Sequence, residues 1–323
     1  MRGEYGYIEI GRMARDPESG KSGKVEDLSY KEWYKKYVDG ENSEEKVVTN
    51  SIKTEEKGYN ENNKEVPKTL QNFDNHQEEW TTNIINKELS KEEIESVSKG
   101  IKELMDSNEF SIRVDSNILE KILDDGKFKN QFETNNSGGT LSLEYRKKAT
   151  KQLFGTGNKR FKASEREKYG YLGCKDFVED RHSFNVDRYG NCIIHFDKNK
   201  LAGRVTYTID DSLGFAINKM TVAGNVDKPS ACGIRNDRLK QIAVIFKESK
   251  DNLNLSDFVE DANIRYIELQ YHGELNADDI QEICFISDEG APVNDEILKR
   301  LKEKGINLFR MNGDWYEETI VKI

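Results

Sequence analysis

The chain has 323 residues and a formal net charge of −10, with 34% charged and 35% hydrophobic residues. This acidic balance argues against nucleic-acid binding, because phosphate contacts need clustered Lys and Arg. The sequence contains no apolar run long enough for a signal-peptide core or a membrane span. Its four cysteines lack the paired spacing of a zinc site, so we expect free thiols and no metal.

The first quarter of the chain differs in composition from the rest. Residues 1–40 contain one short helix, predicted over Leu28–Val38, and too few apolar side chains to form a core of their own. Residues 41–83 are rich in Asn, Glu and Lys and are predicted to be a flexible linker. Apolar periodicity begins near residue 84 and persists, so residues 84–323 are predicted to hold the folded domain.

Within 84–323 the predicted elements are helices first and mainly strands later. Ser90 and Glu93 have the spacing of a capping box, and the apolar residues that follow predict a helix over Glu92–Asp106. Further helices are predicted at Asn117–Leu123, Glu144–Phe154, Ser256–Asp261 and Asn294–Lys304. Strands are predicted at Glu109–Val114, Cys192–Phe196, Gly203–Ile209, Gln241–Phe246, Tyr266–Tyr271, Asn307–Met311 and Trp315–Val321, with Ala277–Ile283 either a turn or a paired strand. Without regular βαβ alternation, the predicted class is α+β with a mixed or antiparallel sheet.

The strand at Tyr266–Tyr271 carries the clearest candidate for chemistry. Ile267, Leu269 and Tyr271 fall on one face, and a row of three polar residues falls on the other: Glu268, Gln270 and His272. A carboxylate, an amide and an imidazole in line can form the wall of a cleft that binds a polar substrate. The alternative is an ordinary strand with one solvated face.

Three other segments carry candidate ligand-binding residues. Arg113 lies on a predicted strand and can form a fork onto a phosphate or a ribose oxygen, or a surface salt bridge. Gln131, Glu133 and Ser137 precede two glycines that let the backbone approach a ligand, although an exposed hairpin tip has the same composition. Two threonines share a strand face ahead of a serine, a pattern that is also common in structural strands: Thr206, Thr208 and Ser212.

The start of the chain resembles the last part of phage Mu-type minor head (MuF) proteins. The resemblance covers residues 1–40 and rests on Ile10-Gly11-Arg12-Met13-Ala14-Arg15-Asp16-Pro17 and Tyr30-Lys31-Glu32-Trp33-Tyr34. In that family a variable carboxy-terminal effector often follows the head domain.

The later order of Arg113, a Ser/Thr strand and Glu268 resembles the Arg–Ser–Glu arrangement of ADP-ribosyltransferase toxins. The apolar rhythm of Ile280 and Ile283 after Glu268 adds to this resemblance. The sequence departs from the toxin pattern because Tyr266 stands where many of those toxins have Glu or Gln. An alternative register puts Gln270 in the catalytic place and predicts a crippled enzyme.

The chain also resembles an uncharacterised bacterial domain family over residues 128–273. The pieces that carry this resemblance are short: Gln131-Phe132-Glu133-Thr134, Ser137-Gly138-Gly139, Phe154-Gly155, Tyr169-Gly170, Thr206-Tyr207-Thr208, Asp211-Ser212 and Glu268-Leu269-Gln270-Tyr271-His272-Gly273. This resemblance implies a shared site and no named reaction.

The toxin resemblance implies a mono-ADP-ribosyltransferase effector domain that cleaves NAD, its substrate, at the nicotinamide–ribose bond. It implies Glu268, Arg113 and Gln270 as catalytic residues. The implied cofactor-binding residues are Arg113, Gln131, Glu133, Ser137, Tyr169, Thr206, Thr208, Ser212 and His272, with Tyr169 stacking on nicotinamide. The expected partners are NAD and a macromolecular acceptor, which we expect to be a protein. A phage capsid or immunity protein is a further expected partner. We expect no membrane partner, and a location on a phage particle or in the cytoplasm of a target cell. The alternatives are an NAD glycohydrolase and a non-catalytic phage structural or interaction module.

Overall fold

The computed structural model describes residues 65–135, 142–184, 186–249, 253–286, 294–312 and 319–323. The chain divides into two units, Met1–Lys57 and Gly58–Ile323, and every described residue belongs to the second. The predictions for residues 1–64 and for Ser137 therefore lie outside the described residues.

One mixed sheet of nine strands organises the described residues. Its spatial order is β5-β4-β6-β2-β1-β3-β7-β8-β9, and its neighbours are antiparallel except for the parallel pair β7 and β8. The strands are β1 Glu109–Val114, β2 Lys168–Gly173, β3 Cys192–Phe196, β4 Val205–Ile209, β5 Gly224–Asn225, β6 Ile267–Tyr271, β7 Ile280–Ile286, β8 Asn307–Asn312 and β9 Thr319–Lys322.

Helices cover both faces of this sheet. The α-helices are α1 Phe73–Trp80, α2 Asn86–Glu88, α3 Lys91–Ser107, α4 Ser116–Asp125, α5 Gln131–Thr134, α6 Leu143–Phe154, α7 Phe177–Ser183, α8 Lys198–Leu201, α9 Ser212–Ile217, α10 Leu239–Glu248, α11 Leu255–Asp261 and α12 Asp295–Glu303. A π-helical segment, Thr81–Ile85, joins α1 to α2, and 3-10 turns lie at Lys68–Leu70, Ala163–Glu165, Asp187–Tyr189, Asn236–Arg238 and Ala277–Asp279. Among the described helices, none is long and apolar enough to cross a membrane.

The two faces of the sheet differ in chemistry. One face packs on the main hydrophobic core together with α3, α4, α10 and α12, through residues such as Ile112, Ile194 and Leu269. The other face carries polar side chains in its centre. Small apolar clusters flank it, one around Phe154 under α1, α6 and α9, and one around Phe177 under α7. Polar groups in the centre of the second face are therefore shielded from solvent by helices.

Local sequence explains where the longest helix begins. Ser90 Oγ accepts a hydrogen bond from the Glu93 amide, and Glu93 Oε2 accepts one from the Ser90 amide at 2.7 Å. This capping box satisfies amide groups that the first turn of α3 leaves unpaired. The predicted helix is confirmed, and so are the predicted α+β class and the mixed sheet.

Most of the other predicted elements are confirmed within one or two residues. Ala277–Ile283, left open by the sequence, is a 3-10 turn followed by the start of β7. The last predicted strand, Trp315–Val321, is described only from Thr319, where β9 begins. The four cysteines are buried and free, as expected.

The strand predicted at Gln241–Phe246 is wrong, because this segment lies inside helix α10. Leu239, Ile242, Ala243 and Phe246 are buried at helical spacing. The β-branched Val244 suggested a strand, but it is 47% exposed. Tertiary packing against α3 decides in favour of the helix.

The prediction of a flexible linker over residues 41–83 is also wrong for the described end of that interval. The described part of that interval contains helix α1, whose Phe73 is buried against Phe154 with ring centroids 6.1 Å apart. Thr69 is buried as well. The folded unit therefore includes residues well before the predicted boundary at residue 84, because a few apolar anchors are enough to dock a polar segment.

Candidate active site

The polar centre of the second sheet face is built from neighbouring strands. Thr206 and Thr208 on β4 are the cross-strand partners of Gln270 and Glu268 on β6. On the other side of β6, strand β2 places Tyr169 opposite Gln270 and Tyr171 opposite Glu268. Directly opposite residues of antiparallel strands share a face, so these side chains form one continuous polar layer.

Glu268 lies in the middle of this layer and is only 4% exposed. Its Oε1 accepts a hydrogen bond of 2.5 Å from Ser212 Oγ at the start of α9, and one of 2.9 Å from Gln270 Nε2. Ser212 is placed there because Asp211 caps α9, its carboxylate accepting from the Leu213 amide. Both donors hold the carboxylate in one orientation.

Gln270 uses its whole amide group inside the protein. Its Oε1 accepts from Thr206 Oγ1 at 2.8 Å, and its Nε2 donates to Thr208 Oγ1 at 3.1 Å as well as to Glu268. Gln270 is fully buried. The geometry gives Gln270 the role of orienting Glu268, since both of its amide hydrogens are donated inside the protein and its oxygen already accepts from Thr206.

His272 continues the same chain of hydrogen bonds. Its Nε2 lies 2.9 Å from Thr206 Oγ1, and its Nδ1 lies 2.7 Å from Thr69 Oγ1. Because the Thr206 hydroxyl donates to Gln270, a consistent network has the proton of His272 on Nε2 and lets Nδ1 accept from Thr69. Burial, followed by the positive charge of Lys168, lowers the pKa of His272 to about 3. His272 is thus a neutral structural link, and the predicted contact with a cofactor is not what its geometry favours.

Burial raises the pKa of the Glu268 carboxyl group, whereas it lowers the pKa of His272. Burial and the nearby Asp211 carboxylate raise the pKa of Glu268 to about 7, although hydrogen bonds from Ser212 and Gln270 and the charge of Arg146 work against that rise. Carboxyl groups with raised pKa values cluster at functional sites because they can change protonation state near neutral pH. Glu268 is the residue of this layer best suited to chemistry.

Three residues that sequence reasoning missed surround Glu268. Arg146 on α6 stacks over the Tyr169 ring, 4.7 Å from its centroid, and the buried Glu167 accepts from Tyr169 at 2.8 Å and from Thr150. Asp211 is the third. The alternation of Glu167, Tyr169 and Tyr171 would have predicted strand β2 and its polar face.

Arg146, Tyr169 and Asp211 are the partly exposed members of this group, while Glu268 is buried behind them. Burial disfavours the charge of Arg146, but its interactions with Tyr169, Glu268 and Asp211 outweigh that effect and raise its pKa. A substrate that approaches Glu268 would therefore meet a stacked guanidinium, an aromatic ring and a carboxylate.

Arg113 shares the polar face but not the contacts of Glu268. It lies on β1, beyond β2, and its Nε donates to the Gly190 carbonyl at 2.6 Å. Its neighbourhood is a second buried cluster in which Tyr171 donates to Asp180 Oδ1 at 2.7 Å. Burial raises the pKa of Asp180 to about 6. The charge of Arg146 acts on Glu268 and favours its ionised form.

The predicted ligand-binding loop is described only in part. Gln131 and Glu133 lie on the short helix α5, and Glu133 forms a capping box with Asn130. That contact gives Glu133 a structural role. Gln131 Oε1 is buried without a hydrogen-bond partner in the described chain, and Ser137 lies outside the described residues.

The chain matches a known family model over most of the region that contains this site. The model of DUF3626, a protein family of unknown function, matches residues 110–317, well over half of the chain. The chain belongs to the DUF3626 family. The DUF3626 region contains Glu268 and all of the polar layer on β2, β4 and β6, whereas Thr69 lies outside it. No curated protein matches the chain.

Proposed function

We propose that the protein is a mono-ADP-ribosyltransferase that cleaves the nicotinamide–ribose bond of NAD and transfers ADP-ribose to a macromolecular acceptor. The observation that carries this proposal is the environment of Glu268, a buried carboxylate oriented by Ser212 and Gln270. Cleavage of a glycosidic bond develops positive charge on the sugar, and a fixed carboxylate stabilises that oxocarbenium-like transition state. One such interaction is worth about 3 kcal/mol, or roughly a hundredfold in rate.

The protonation of Glu268 supports this role. With a pKa near 7, the carboxylate is ionised in a growing fraction of molecules as the pH rises through neutrality. The ionised form is the one that stabilises positive charge. We therefore expect NAD cleavage to fall as the pH drops below about 7.

Glu268, and not Gln270, is the catalytic residue in this proposal. A neutral amide stabilises a positive charge poorly, and the Gln270 amide is already bonded to Thr206, Thr208 and Glu268. Tyr169 lies beside this group, on the partner strand, and offers a ring for stacking on nicotinamide. In place of Arg113, Arg146 is the guanidinium proposed to act next to the reacting bond.

The test uses purified protein, a cell lysate as the source of acceptors, and NAD labelled either in the adenylate or in nicotinamide. Transfer of the adenylate label to a macromolecule together with release of nicotinamide supports the proposal. Nicotinamide release without a labelled macromolecule identifies an NAD glycohydrolase instead. If neither occurs, NAD chemistry is excluded and a non-catalytic interaction module is favoured.

Two variants make this assay specific to the site. Glu268→Gln is expected to lose about a hundredfold in rate. Glu274→Gln removes a carboxylate that is 67% exposed and pairs with Lys127, and it should retain wild-type activity. Equal rates for wild type and Glu268→Gln would show that Glu268 is not the catalytic carboxylate.

A further inference from the structure

Arg166 is a buried guanidinium that stacks on aromatic rings. It lies two residues before β2 and is only 7% exposed. Its guanidinium carbon lies 4.3 Å from the centroid of the Phe132 ring and 5.6 Å from that of Phe161. Its Nη1 is buried and has no hydrogen-bond acceptor within the described ranges. No carboxylate of those ranges forms an ion pair with it.

Three other arginines of the described chain are paired with carboxylates. Arg235 binds both carboxylate oxygens of Asp237, Arg265 bonds to Asp210, and Arg300 bonds to Asp124 at 2.8 Å. These three are more exposed than Arg166, so solvent also stabilises their charge. Arg166 is deeply buried and has no carboxylate at ion-pair distance within the described ranges, and the exposed Glu144 acts on it only through its charge.

This arrangement is unfavourable for the protein by itself. A buried charge without a directly paired counter-ion loses part of its hydration, and stacking on aromatic rings and the charge of the exposed Glu144 offset only part of that loss. An anion that accepts from the guanidinium would remove the penalty. Arg is suited to phosphate in particular, because its planar fork of N–H groups can donate to two oxygens at once.

The surrounding residues hold Arg166 in a fixed position. Asn130 Nδ2 donates to the carbonyls of Ala163 at 2.7 Å and of Arg166 at 3.1 Å, while Asn130 Oδ1 caps helix α5. This cap places Phe132 under the guanidinium. Gln131, the neighbour of Phe132, has a buried Oε1 with no donor in the described chain. A phosphate ester that also carries a hydroxyl would satisfy both unpaired groups.

We propose that Arg166, supported by Gln131, binds a phosphate group of the substrate. Arg166 is three residues before Tyr169, which corresponds to about 10 Å along an extended chain. Tyr169 lies opposite Gln270, beside the proposed catalytic carboxylate. The inferred ligand is a nucleoside diphosphate moiety, and its identification as the diphosphate of NAD rests on the proposed function.

The experiment measures binding of ADP, inorganic pyrophosphate and adenosine by equilibrium dialysis. Wild-type protein is expected to bind ADP and pyrophosphate, and adenosine at least about tenfold more weakly because it lacks phosphate. Arg166→Gln should weaken ADP binding by about tenfold to a hundredfold. Arg300→Gln removes a guanidinium from the surface pair with Asp124 and should bind ADP as wild type does.

A further variant, Arg166→Lys, tests whether the planar fork of the side chain matters beyond its charge. Arg166→Lys keeps the charge without the planar fork, so it is expected to bind ADP several-fold more weakly, and it carries the test if Arg166→Gln fails to fold. The inference would be overturned if folded Arg166→Gln bound ADP with unchanged affinity. If the Gln variant does not fold, unchanged ADP affinity in Arg166→Lys would overturn it. Wild-type protein that binds neither ADP nor pyrophosphate would overturn it as well. Arg166-dependent ADP binding without NAD cleavage would sustain the phosphate site and remove the proposed function.

Discussion

Replacing Glu268 by Gln should change how the stability of the protein depends on pH. The carboxyl group has a pKa of about 7 in the folded protein against an ordinary value of 4.5, because it is buried and close to Asp211. The folded state therefore holds the proton more tightly than the unfolded state does. The stabilisation from this group is fully present below pH 4.5 and is lost as the pH rises to 7.

The size of this effect follows from the two pKa values. Ionisation of Glu268 costs the folded state about 1 kcal/mol at pH 5 and about 3 kcal/mol at pH 8. The Gln variant carries no such cost. Its amide oxygen can still accept from Ser212 and Gln270. The difference in unfolding free energy between Glu268→Gln and wild type should thus shift by about 2 kcal/mol in favour of the variant between pH 5 and pH 8.

Urea unfolding at the two pH values, followed by circular dichroism, measures this shift. Glu274→Gln serves as the control for loss of one negative charge at an exposed position. The raised pKa of Glu268 is refuted if the difference in unfolding free energy between Glu268→Gln and wild type is the same at pH 5 and pH 8. It is also refuted if the variant loses stability relative to wild type as the pH rises.

Three further predictions concern the network and the core. Gln270→Leu should lower the unfolding free energy by about 3 kcal/mol, since it removes the hydrogen bonds of the amide to the buried Thr206, Thr208 and Glu268 side chains, and an unchanged urea midpoint would contradict this. The imidazole signals of His272 should not titrate between pH 5 and pH 8 in NMR spectra, because the pKa is about 3, and a midpoint near 6.5 would show that the residue is not buried as described. Gly100→Ala should destabilise the protein by about 1–3 kcal/mol, because a Cβ there overlaps the Phe246 ring. Its control, Gly214→Ala in α9, has nothing within 4 Å and should be neutral or slightly stabilising in the same denaturation assay.

The sequence predicts strand β6 well because its signal is local. Alternation at Ile267–Tyr271 identified both faces of β6, and the pairing of Thr206 and Thr208 with that strand needed only a matching alternation on β4. Alternation could not indicate how deeply the polar side chains of β6 are buried. All five residues of β6 are buried, so the polar row is a covered layer and not the solvated face of the alternative interpretation.

Other features depend on contacts that are distant in sequence. The toxin resemblance implied Arg113 and Glu268 as catalytic residues of one site, whereas strand β2 lies between their two strands and the charge of Arg146 acts on Glu268. Thr69 was assigned to a linker, but it bonds to His272, which is 203 positions away. The strand predicted over Gln241–Phe246 was wrong because packing of one helical face outweighed β propensity.

The most direct test of the account is a crystal structure of the Glu268→Gln variant with NAD, because this variant should bind the substrate and cleave it about a hundredfold more slowly. We predict that the nicotinamide ribose lies within hydrogen-bonding distance of the side chain at position 268, with the nicotinamide ring on Tyr169 and the diphosphate extending toward Arg166. NAD bound elsewhere, for example in the surface groove lined by Ser107 and Leu255, with residue 268 still bonded only to Ser212 and Gln270, would contradict the assignment of Glu268 as the catalytic residue.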